Sequence, residues 1–236
     1  MVGITENYPK FPFDASKVII YGGGGLSKMI IETVRVLGAY RIVGVIDDHM
    51  EVGAEIIGSP VLGGVSELPK LYARGIRTAV NSVGGIGNYK VRLNVFQQLA
   101  NAGFICPVIV HPTAHVDPSA RLEAGVLVLA QSYVSGNAAV GVGTLINNSV
   151  VVSHDCVLGQ CVNLSPGAML AGDVIIGDFT QIGMNATVNI GVKIGSECLI
   201  GNGATIKKDM PDGTLVHAGS IWPPYHNKNL NETRSA

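Results

Sequence analysis

The segment "VVSHDCVLGQCVNLSPGAMLAGDVIIGDFTQIGMNATV" (residues 151–188) indicates the fold most clearly, because an aliphatic residue occurs in it at every sixth position. The series begins at Val116 and runs to Ile206 without interruption, so all sixteen positions of this six-residue spacing are aliphatic. A residue no larger than valine stands four places after each of them until Met210. Such a repeat is typical of a parallel β-helix, in which each hexad forms one short strand and one corner, and three hexads complete a coil.

The position of a residue within its hexad predicts whether its side chain points into the coil or out of it. Val152 and Cys156 occupy the large and the small interior positions, and His154 lies midway between them. We therefore expect His154 to project outward and Cys156, like Cys198, to be a packing residue. We also expect the corner glycines to permit the sharp change of direction between strands: Gly141, Gly159, Gly177, Gly195 and Gly201.

Residues 17–110 follow a different pattern, in which apolar strands alternate with helices. The segments "KVIIY" (17–21), "RIVGVI" (41–46) and "RTAVNSV" (77–83) predict strands, and "FICPVIV" (104–110) predicts a fourth. Helical spacing follows Gly25 and Asn88, and each helix ends at a glycine. This order predicts a small parallel sheet. We expect an α/β Rossmann-like domain over residues 1–110, followed by the β-helix and a C-terminal tail over residues 111–236.

Composition excludes several classes of protein. The chain has 236 residues, a formal net charge of −1 and 14% charged residues, so it has no broad electrostatic attraction to nucleic acid or to an anionic membrane. No apolar run approaches the roughly 20 residues of a membrane span. Residues 1–13 lack the basic and apolar regions of a signal peptide, so we expect a cytoplasmic protein. The cysteines form no CxxC pair and are expected to be free thiols.

Glycines follow the first predicted strand, and an acidic pair ends the second. The segment "GGGG" (22–25) leads into a helix, where backbone N–H groups can approach phosphates. Ser27 stands where a G-x-G-x-x-G frame has its third glycine. Asp47 and Asp48 are placed where a carboxylate can bind a ribose hydroxyl or a base edge. The alternative is that these glycines only form a tight strand-to-helix turn.

From residue 17 onward the chain resembles the nucleotide-sugar acetyltransferases that join a Rossmann-like domain to a left-handed β-helix. The resemblance rests on "YGGGG", "VIDD", "HPTAHVDPSA", the stretch from "SHDC" onward and "LIGNGATIKKD". Within this group the chain is most similar to N-acetyltransferases of bacterial 4-amino-4,6-dideoxy sugars, of the bacillosamine and perosamine kind, and sialic acid O-acetyltransferases are related. The resemblance implies acetyl-CoA as co-substrate, no metal, and a homotrimer with its active site between neighbouring β-helices.

By this resemblance His154 is the general base, and Asp155 supports it. The amine of the sugar must lose a proton as it attacks the thioester carbonyl, and an imidazole, with a reference pKa of about 6.5, accepts protons near neutral pH. Asp155 would fix the tautomer of the ring through a charge-assisted hydrogen bond. Direct attack requires no covalent intermediate. A backbone N–H near Gly172 is expected to stabilise the oxyanion.

The resemblance also implies cofactor and substrate contacts, transferred residue by residue. For acetyl-CoA these are Asn163, Gly172, Met184 and Asn202. Asn163 replaces a histidine of the bacillosamine enzyme and can still donate a hydrogen bond. Lys207 and Lys208 either meet the CoA phosphates or are idle surface lysines. For the nucleotide-linked sugar the positions are Gly23, Gly24, Gly25, Asp47, Asp48, Gly84 (in "GGIGN", 84–88) and Asn147. The tail "HAGSIWPPYHNKN" (217–229) departs from the Gly-x-Pro-Ala-like turn that often ends the family.

Three other functions share part of this pattern. O-acetylation of a sialic acid or of another sugar hydroxyl needs the same base, so His154 does not distinguish an amine from a hydroxyl acceptor. A γ-type carbonic anhydrase is also a left-handed β-helix but needs three histidines on zinc, and the repeat has no histidine between His115 and His217 other than His154. In a non-catalytic scaffold, His154 and Asp155 would be an exposed ion pair of little energetic value. The sequence leaves the base and the sugar of the nucleotide sugar open.

Overall fold

The computed structural model describes residues 14–84, 87 and 89–224. Residues 1–13, on which the expectation about a signal peptide rests, and residues 225–236 of the tail lie outside the described part. The chain divides into two compact units, Met1–Val83 with Asn94–Cys106, and Gly84–Leu93 with Pro107–Ala236. Within the described ranges, no helix has the length and the apolar character needed to cross a membrane.

The first unit is an α/β fold, as its sequence pattern predicts. Its elements are β1 (Lys17–Tyr21), α1 (Gly25–Leu37), β2 (Arg41–Ile46), β3 (Glu55–Ile56), β4 (Ser59–Gly63), a 3-10 helix (Val65–Glu67), α2 (Leu68–Ala73), β5 (Thr78–Asn81) and α3 (Tyr89–Asn101), of which residues 89–93 belong to the second unit. The strands form one sheet in the order β3-β4-β2-β1-β5, parallel except for the β3–β4 pair. The buried face of helix α1 includes Ile30, Ile31 and Val34. Gly38 caps the C-terminus of the helix, and its left-handed φ of 68° lets its N–H bond the carbonyls of Val34 and Arg35.

The prediction of a fourth strand over residues 104–110 is wrong. Ile105 forms only an isolated bridge with Thr78, and Ile109–Val110 pair with the β-helix instead. Pro107 lies between them and has no N–H to donate, so a continuous ladder across this segment loses a hydrogen bond. The sheet instead includes β4, which pairs with β2 and which the sequence pattern did not predict.

The second unit is a left-handed parallel β-helix, which confirms the interpretation of the six-residue repeat. Its strands are β6 (Ile109–Val110), β7 (His115–Val116), β8 (Arg121–Leu122), β9 (Leu127–Val128), β10 (Tyr133–Val134), β11 (Ala139–Val140), β12 (Leu145–Ile146), β13 (Val151–Val152), β14 (Val157–Leu158), β15 (Asn163–Leu164), β16 (Met169–Leu170), β17 (Ile175–Ile176), β18 (Gln181–Ile182), β19 (Thr187–Val188), β20 (Lys193–Ile194), β21 (Leu199–Ile200), β22 (Thr205–Ile206), β23 (Leu215–Val216) and β24 (Ile221–Trp222).

Three parallel sheets form the sides of this coil. The first face contains β7, β10, β13, β16, β19, β22 and β24, the second face β8, β11, β14, β17 and β20, and the third face β6, β9, β12, β15, β18, β21 and β23. The first–second corner is the turn that leads from the first face to the second, and the second–third and third–first corners are defined in the same way. Strands in one face are paired at a sequence separation of 18 residues over most of the coil, as in Val151 with Met169.

The aliphatic column fills the interior of the coil. From Val128 to Ile206 every sixth residue is exposed by 2% or less, and Val116 and Leu122 pack against this core from its open end. Burial of one such side chain contributes about 1.5–3 kcal/mol, so the periodic aliphatic column is a large favourable contribution to the formation of the coil. Cys156 and Cys198 are buried in the column, as their hexad positions predict.

Each corner is turned by a residue in the left-handed conformation, which recurs every six residues from Gly125 to Gly203. The corner glycines chosen from the sequence have a different role, and the expectation that they provide the turn is wrong for Gly141, Gly159, Gly177, Gly195 and Gly201. They are needed because the next coil is close. A Cβ on Gly177 would lie 2.5 Å from the backbone nitrogen of Ser196, for example.

Candidate active site

His154 lies on the first–second corner, between β13 and β14. Val152, two residues earlier, is completely buried, whereas the side chain of His154 is 58% exposed. The imidazole therefore projects outward from the coil, as its hexad position predicts.

Asp155 holds the imidazole from the next corner position. Its Oδ2 lies 2.8 Å from Nδ1 of His154, and its Oδ1 accepts a hydrogen bond of 3.2 Å from Nδ2 of Asn137. The backbone of Asp155 is left-handed, with φ 59°, so this position favours glycine, asparagine or aspartate for conformational reasons alone. Aspartate tolerates the left-handed backbone of the corner and also supplies a carboxylate to the imidazole.

The hydrogen bonds to Asp155 fix the chemistry of the pair. The bond from His154 and then the bond from Asn137 lower the pKa of Asp155 below its ordinary value, against an opposing effect of desolvation. An ionised carboxylate only accepts hydrogen bonds, so Nδ1 of His154 must carry a proton. In the neutral ring Nε2 is then the unprotonated nitrogen, and it is free to accept a proton from a substrate.

Gly172 lies directly under the imidazole, one coil further along the same corner. A Cβ on Gly172 would be 2.4 Å from Cε1 and 2.5 Å from Nε2 of His154, so only glycine leaves room for the ring in this position. Gly172 is outside the set of residues with a left-handed backbone. It is therefore required for the space that the ring occupies.

A second carboxylate, that of Asp173, lies beside the pair. Single ligand atoms of His154, Asp155 and Asp173 all lie within 4.8 Å of one another. Exposed acidic groups are commonly close without a metal, and zinc sites of the carbonic-anhydrase type need three histidines. We therefore assign no metal to this corner.

Two of the predicted acetyl-CoA contacts lie on a different corner from His154. Met184 and Asn202 follow β18 and β21 on the third–first corner, and Oδ1 of Asn202 accepts a hydrogen bond of 2.9 Å from the backbone N–H of Met184. Asn147, a predicted substrate contact, lies on the same corner after β12. Its Oδ1 accepts the N–H of Asn148 at 2.8 Å. Within one chain, the third–first corner and the corner that carries His154 lie at opposite edges of the first face.

Asn163 and Gly84 come together in a small cavity on the third face. The cavity is lined by Gly84, Tyr89, Arg92, Leu145, Cys161, Val162, Asn163 and Gln181, all in the second unit. Tyr89 lies in this cavity, and its ring stacks on that of Phe179 with the centroids 4.9 Å apart. The Oδ1 atom of Asn163 is buried and has no hydrogen-bond partner among the described residues. In "GGIGN", Gly85, Ile86 and Asn88 lie outside the described residues.

Lys207 and Lys208 lie on the same corner as His154. Steps of 18 residues, one coil each, lead from His154 to Gly172, to Ile190 and to Lys208. A shallow groove there is lined by Ile190, Gly191, Val192, Lys207, Lys208 and Asp209. Ile190 is 67% exposed and gives the groove an apolar floor between the imidazole and the lysines.

The glycine loop of the first unit opens onto the N-terminus of α1. A Cβ on Gly24 or Gly25 would meet no atom within 4 Å, and α1 begins at Gly25 without a side-chain cap. Gly23 is different, since a Cβ there would be 2.2 Å from Sδ of Met50. The loop therefore offers backbone N–H groups at an uncovered helix N-terminus, which is an arrangement that suits a phosphate.

Asp47 and Asp48, the two aspartates predicted to bind the nucleotide, accept hydrogen bonds from this loop and from residues near the strand ends. Asp47 accepts the N–H of Gly23 at 2.7 Å and that of His49 at 2.9 Å. Asp48 accepts the N–H of Val65 at 2.7 Å and the hydroxyl of Tyr21 at 3.0 Å. Desolvation, followed by the bond to Asp48, raises the pKa of Tyr21 above its usual range. Each carboxylate oxygen has a second lone pair, so a contact to a ligand stays compatible with these bonds.

The sequence reading missed the residues that support the predicted site. Asn137 holds Asp155 from one coil earlier, and a cluster formed by Asp117 with His115 and Tyr133 of the first face lies on the N-terminal side of His154. The available signal was the 18-residue separation of stacked positions, which relates Asn137 to Asp155 and His154 to Gly172. The six-residue step identifies the interior, whereas the 18-residue step identifies neighbours on the surface.

Two family models match the chain, the PglD N-terminal domain over residues 17–99 and the bacterial transferase hexapeptide (six repeats) over residues 173–208. A variant of perosamine N-acetyltransferase from Caulobacter crescentus, solved in complex with CoA and GDP-perosamine, is 31% identical, with a TM-score of 0.81 over 87% of this chain and 95% of that one. The acetyltransferase domain of PglB from Neisseria gonorrhoeae FA1090, in complex with acetyl coenzyme A, is 33% identical, with a TM-score of 0.81 over 87% and 97%.

WeeI from Acinetobacter baumannii AYE shares the fold at 24% identity, with a TM-score of 0.78 over 86% of this chain and 96% of that one. A search of curated protein sequences finds no match. Identities above 30% that extend over nearly the whole length of two enzymes confirm the resemblance found in the sequence. The chain belongs to the family of nucleotide-sugar N-acetyltransferases that join a PglD-type N-terminal domain to hexapeptide repeats.

Proposed function

We propose that the protein transfers the acetyl group of acetyl-CoA to the amino group of a nucleotide-linked 4-amino-4,6-dideoxy sugar, with His154 as the general base. Proteins similar to this chain bind CoA or acetyl coenzyme A, and one binds GDP-perosamine as well. The observation that carries the proposal is the outward imidazole of His154, held at 2.8 Å by Asp155 over a glycine.

The reaction is a direct acyl transfer. The amine nitrogen attacks the thioester carbonyl carbon, and Nε2 of His154 takes the proton that the nitrogen loses. The C–S bond then breaks, and the imidazolium of His154 returns this proton to the sulfur, so that CoA leaves as its thiol. Asp155 keeps the proton on Nδ1 and stabilises the imidazolium that forms. We propose the backbone N–H of Gly172, beside the ring, as the donor to the oxyanion.

We propose that the active site is completed by a second copy of the chain in a homotrimer. His154 and Gly172 lie on the first–second corner, whereas Met184 and Asn202 lie on the third–first corner of the same chain. Met184 is 46% exposed although it is apolar, which suits a residue covered by a ligand or a neighbouring subunit. Both sets contact one acetyl-CoA if the third–first corner of one subunit faces the first–second corner of the next.

The groove on the first–second corner suggests the course of CoA along the coil. Lys208 is three coils from His154, which corresponds to roughly 14 Å at a strand spacing of about 4.8 Å. With the thioester at His154, the pantetheine arm would cross Gly172 and Ile190 and bring the phosphates to Lys207 and Lys208. Asn163 and Asn147 stay in this proposal as contacts of the neighbouring subunit to the cofactor and the sugar.

We propose that the nucleotide is held by the first unit. The N-terminus of α1 at Gly24 and Gly25 would receive the phosphates, and Gly23 keeps the loop close to Asp47. Asp47 and Asp48 would accept hydrogen bonds from the ribose or the base, and Gly84 remains a proposed substrate contact.

The proposal is tested by release of the CoA thiol from acetyl-CoA with a panel of nucleotide-linked 4-amino sugars and with free sialic acid. We expect turnover with an amino sugar and a fall of 100-fold or more in kcat for His154→Asn, which matches the 10²–10⁴-fold contribution of general bases. His111→Asn is the matched control, because Nδ1 of the His111 ring contacts the N–H and hydroxyl of Thr113 within its own turn. Turnover with sialic acid alone would contradict N-acetylation, and full activity of His154→Asn would contradict the role of the base.

A further inference from the structure

A polar cluster with two exposed rings lies on the N-terminal side of His154. The carboxylate of Asp117 accepts hydrogen bonds from Tyr133 Oη at 3.0 Å and Ser135 Oγ at 3.3 Å on Oδ2, and its Oδ1 lies 2.9 Å from Nε2 of His115. The rings of His115 and Tyr133 lie side by side, with centroids 5.5 Å apart and planes inclined by 31°. We call these four residues the Asp117 cluster.

The cluster is continuous with the catalytic corner. Tyr133 pairs with Val151 in the adjacent strand, three residues before His154. The N–H of Asp155 bonds the carbonyl of Gly136, and a Cβ on Gly136 would be 3.8 Å from Oδ2 of Asp117. Tyr133 and Ser135 are thus one coil from His154 and Asp117 is two coils from it, which corresponds to about 5 and 10 Å.

The exposed groups suit a ligand that carries hydroxyl groups. A carboxylate has about four lone-pair positions, and three are used by the hydrogen bonds above, so Oδ1 of Asp117 can accept one more. The side chain of His115 is 68% exposed and Tyr133 is 37% exposed, so both rings present apolar surface to solvent. Apolar ring surface beside an open carboxylate acceptor matches a sugar ring, which has C–H faces and hydroxyl donors. A phosphate would instead be repelled by Asp117.

A purely structural cluster would not need these features. On the second–third corner, Asp178 holds the coil through a bond of 2.9 Å from the N–H of Gln160 and a bond of 3.1 Å from its Nε2. In the described part of the chain, the bonds to the Asp117 carboxylate come from side chains alone, and two of these carry the exposed rings. Asp178 is therefore a suitable internal comparison.

We propose that the Asp117 cluster is a sugar subsite, in which Asp117 accepts a hydrogen bond from a ring hydroxyl of the acceptor sugar and Tyr133 packs against the ring. The inference rests on the proposed function, because it places the sugar amine at His154. A pyranose ring is about 5 Å across, and a hydrogen bond of about 3 Å at each end lets it span the roughly 10 Å from the base to Asp117 when its amine is at His154. The cluster would select the configuration of those hydroxyls.

The test compares steady-state kinetics of Asp117→Asn, Tyr133→Phe and Tyr133→Ala with the wild type. We expect Asp117→Asn to raise KM for the nucleotide-linked amino sugar by about 10- to 100-fold, which is the usual loss for a hydrogen bond to a charged group. Tyr133→Ala should raise the same KM more than Tyr133→Phe does, because only alanine removes the ring. KM for acetyl-CoA and the melting temperature should change no more than in Asp178→Asn, the matched control.

Calorimetry of sugar binding to the same variants separates the two proposals. A wild-type protein that neither binds nor acetylates any nucleotide-linked amino sugar would overturn the proposed function and the subsite together. A wild type that does both, with unchanged affinity and KM in Asp117→Asn and Tyr133→Ala, would overturn the subsite alone. A fall in melting temperature much larger than in Asp178→Asn, without a change of sugar affinity, would make the cluster a structural feature and likewise contradict the subsite.

Discussion

Substitution of Gly172 by alanine should displace the imidazole of His154 from its catalytic position while leaving the coil folded. The added Cβ would be 2.4 Å from Cε1, whereas ordinary van der Waals contact begins at 3.4 Å, so the ring must move by about 3.4 − 2.4 = 1.0 Å. A displacement of about 1 Å of a reacting group can lower the rate about 100-fold, which is about 2.7 kcal/mol in the activation barrier. Alanine tolerates the backbone conformation of Gly172, so we expect stability to be unchanged or slightly higher.

The assay measures kcat from the release of CoA thiol and stability from thermal unfolding. Gly177→Ala is the contrasting variant, because its Cβ would lie 2.5 Å from a backbone nitrogen of the next coil, and backbone cannot move aside as a ring can. We expect Gly177→Ala to lower the melting temperature and Gly172→Ala to lower kcat. In a His154→Ala background the alanine at position 172 should have no further effect on the rate.

Wild-type kcat in Gly172→Ala would refute the argument, since it would mean that the position of the ring over Gly172 is irrelevant to the reaction. An additional loss of rate in the double variant would also contradict it. In that case the added methyl group would disturb the substrate directly and not through the imidazole.

Further predictions concern Asp155 and the thiols. Asp155→Asn keeps a residue that tolerates the left-handed corner, so thermal unfolding should be little changed while kcat falls by about 10- to 100-fold; an unchanged kcat would exclude support of the base by the carboxylate. Because the pKa of Asp155 is lowered by folding, its contribution to stability is present above the ordinary aspartate range and is lost as the pH falls through the lowered value. The small stability difference between wild type and Asp155→Asn in urea unfolding should thus be present at neutral pH and vanish well below about pH 4. Desolvation raises the pKa of the three buried thiols, so an alkylating reagent at neutral pH should modify Cys106 first, and equal rates in the folded protein would contradict the burial of Cys156, Cys161 and Cys198.

The β-helix was predictable because its determinant is local and periodic. The six-residue step alone predicts which residues are interior, and every sixth residue from Val128 to Ile206 is buried accordingly. The outward direction of His154 follows from the same step. The α/β pattern of the first unit was predictable for the same kind of reason, since β1, α1 and β2 carry strong apolar periodicity.

The sequence failed where the structure depends on contacts between distant residues. The segment 104–110 is apolar enough for a strand, but Pro107 and the pairing of Ile109 with the β-helix override this preference. The left-handed corner positions were not recognised, because residues as different as Gln131, Cys161 and Phe179 adopt this backbone conformation. Residue type alone therefore does not identify the position that turns the chain. Gly177 resembles a turn glycine in sequence and is in fact small because the next coil is adjacent.

The six-residue repeat was enough to predict the coil, its interior and the exposure of His154 beside Asp155. The folded coil was needed to show that the imidazole lies over Gly172, that Asn137 donates a hydrogen bond to Asp155, and that Met184 lies on another corner. The physical reason is that the hexad specifies the direction of each side chain within one coil, whereas contact between coils depends on residues 18 positions apart. A pattern of period six does not reveal those neighbours until the coils are stacked.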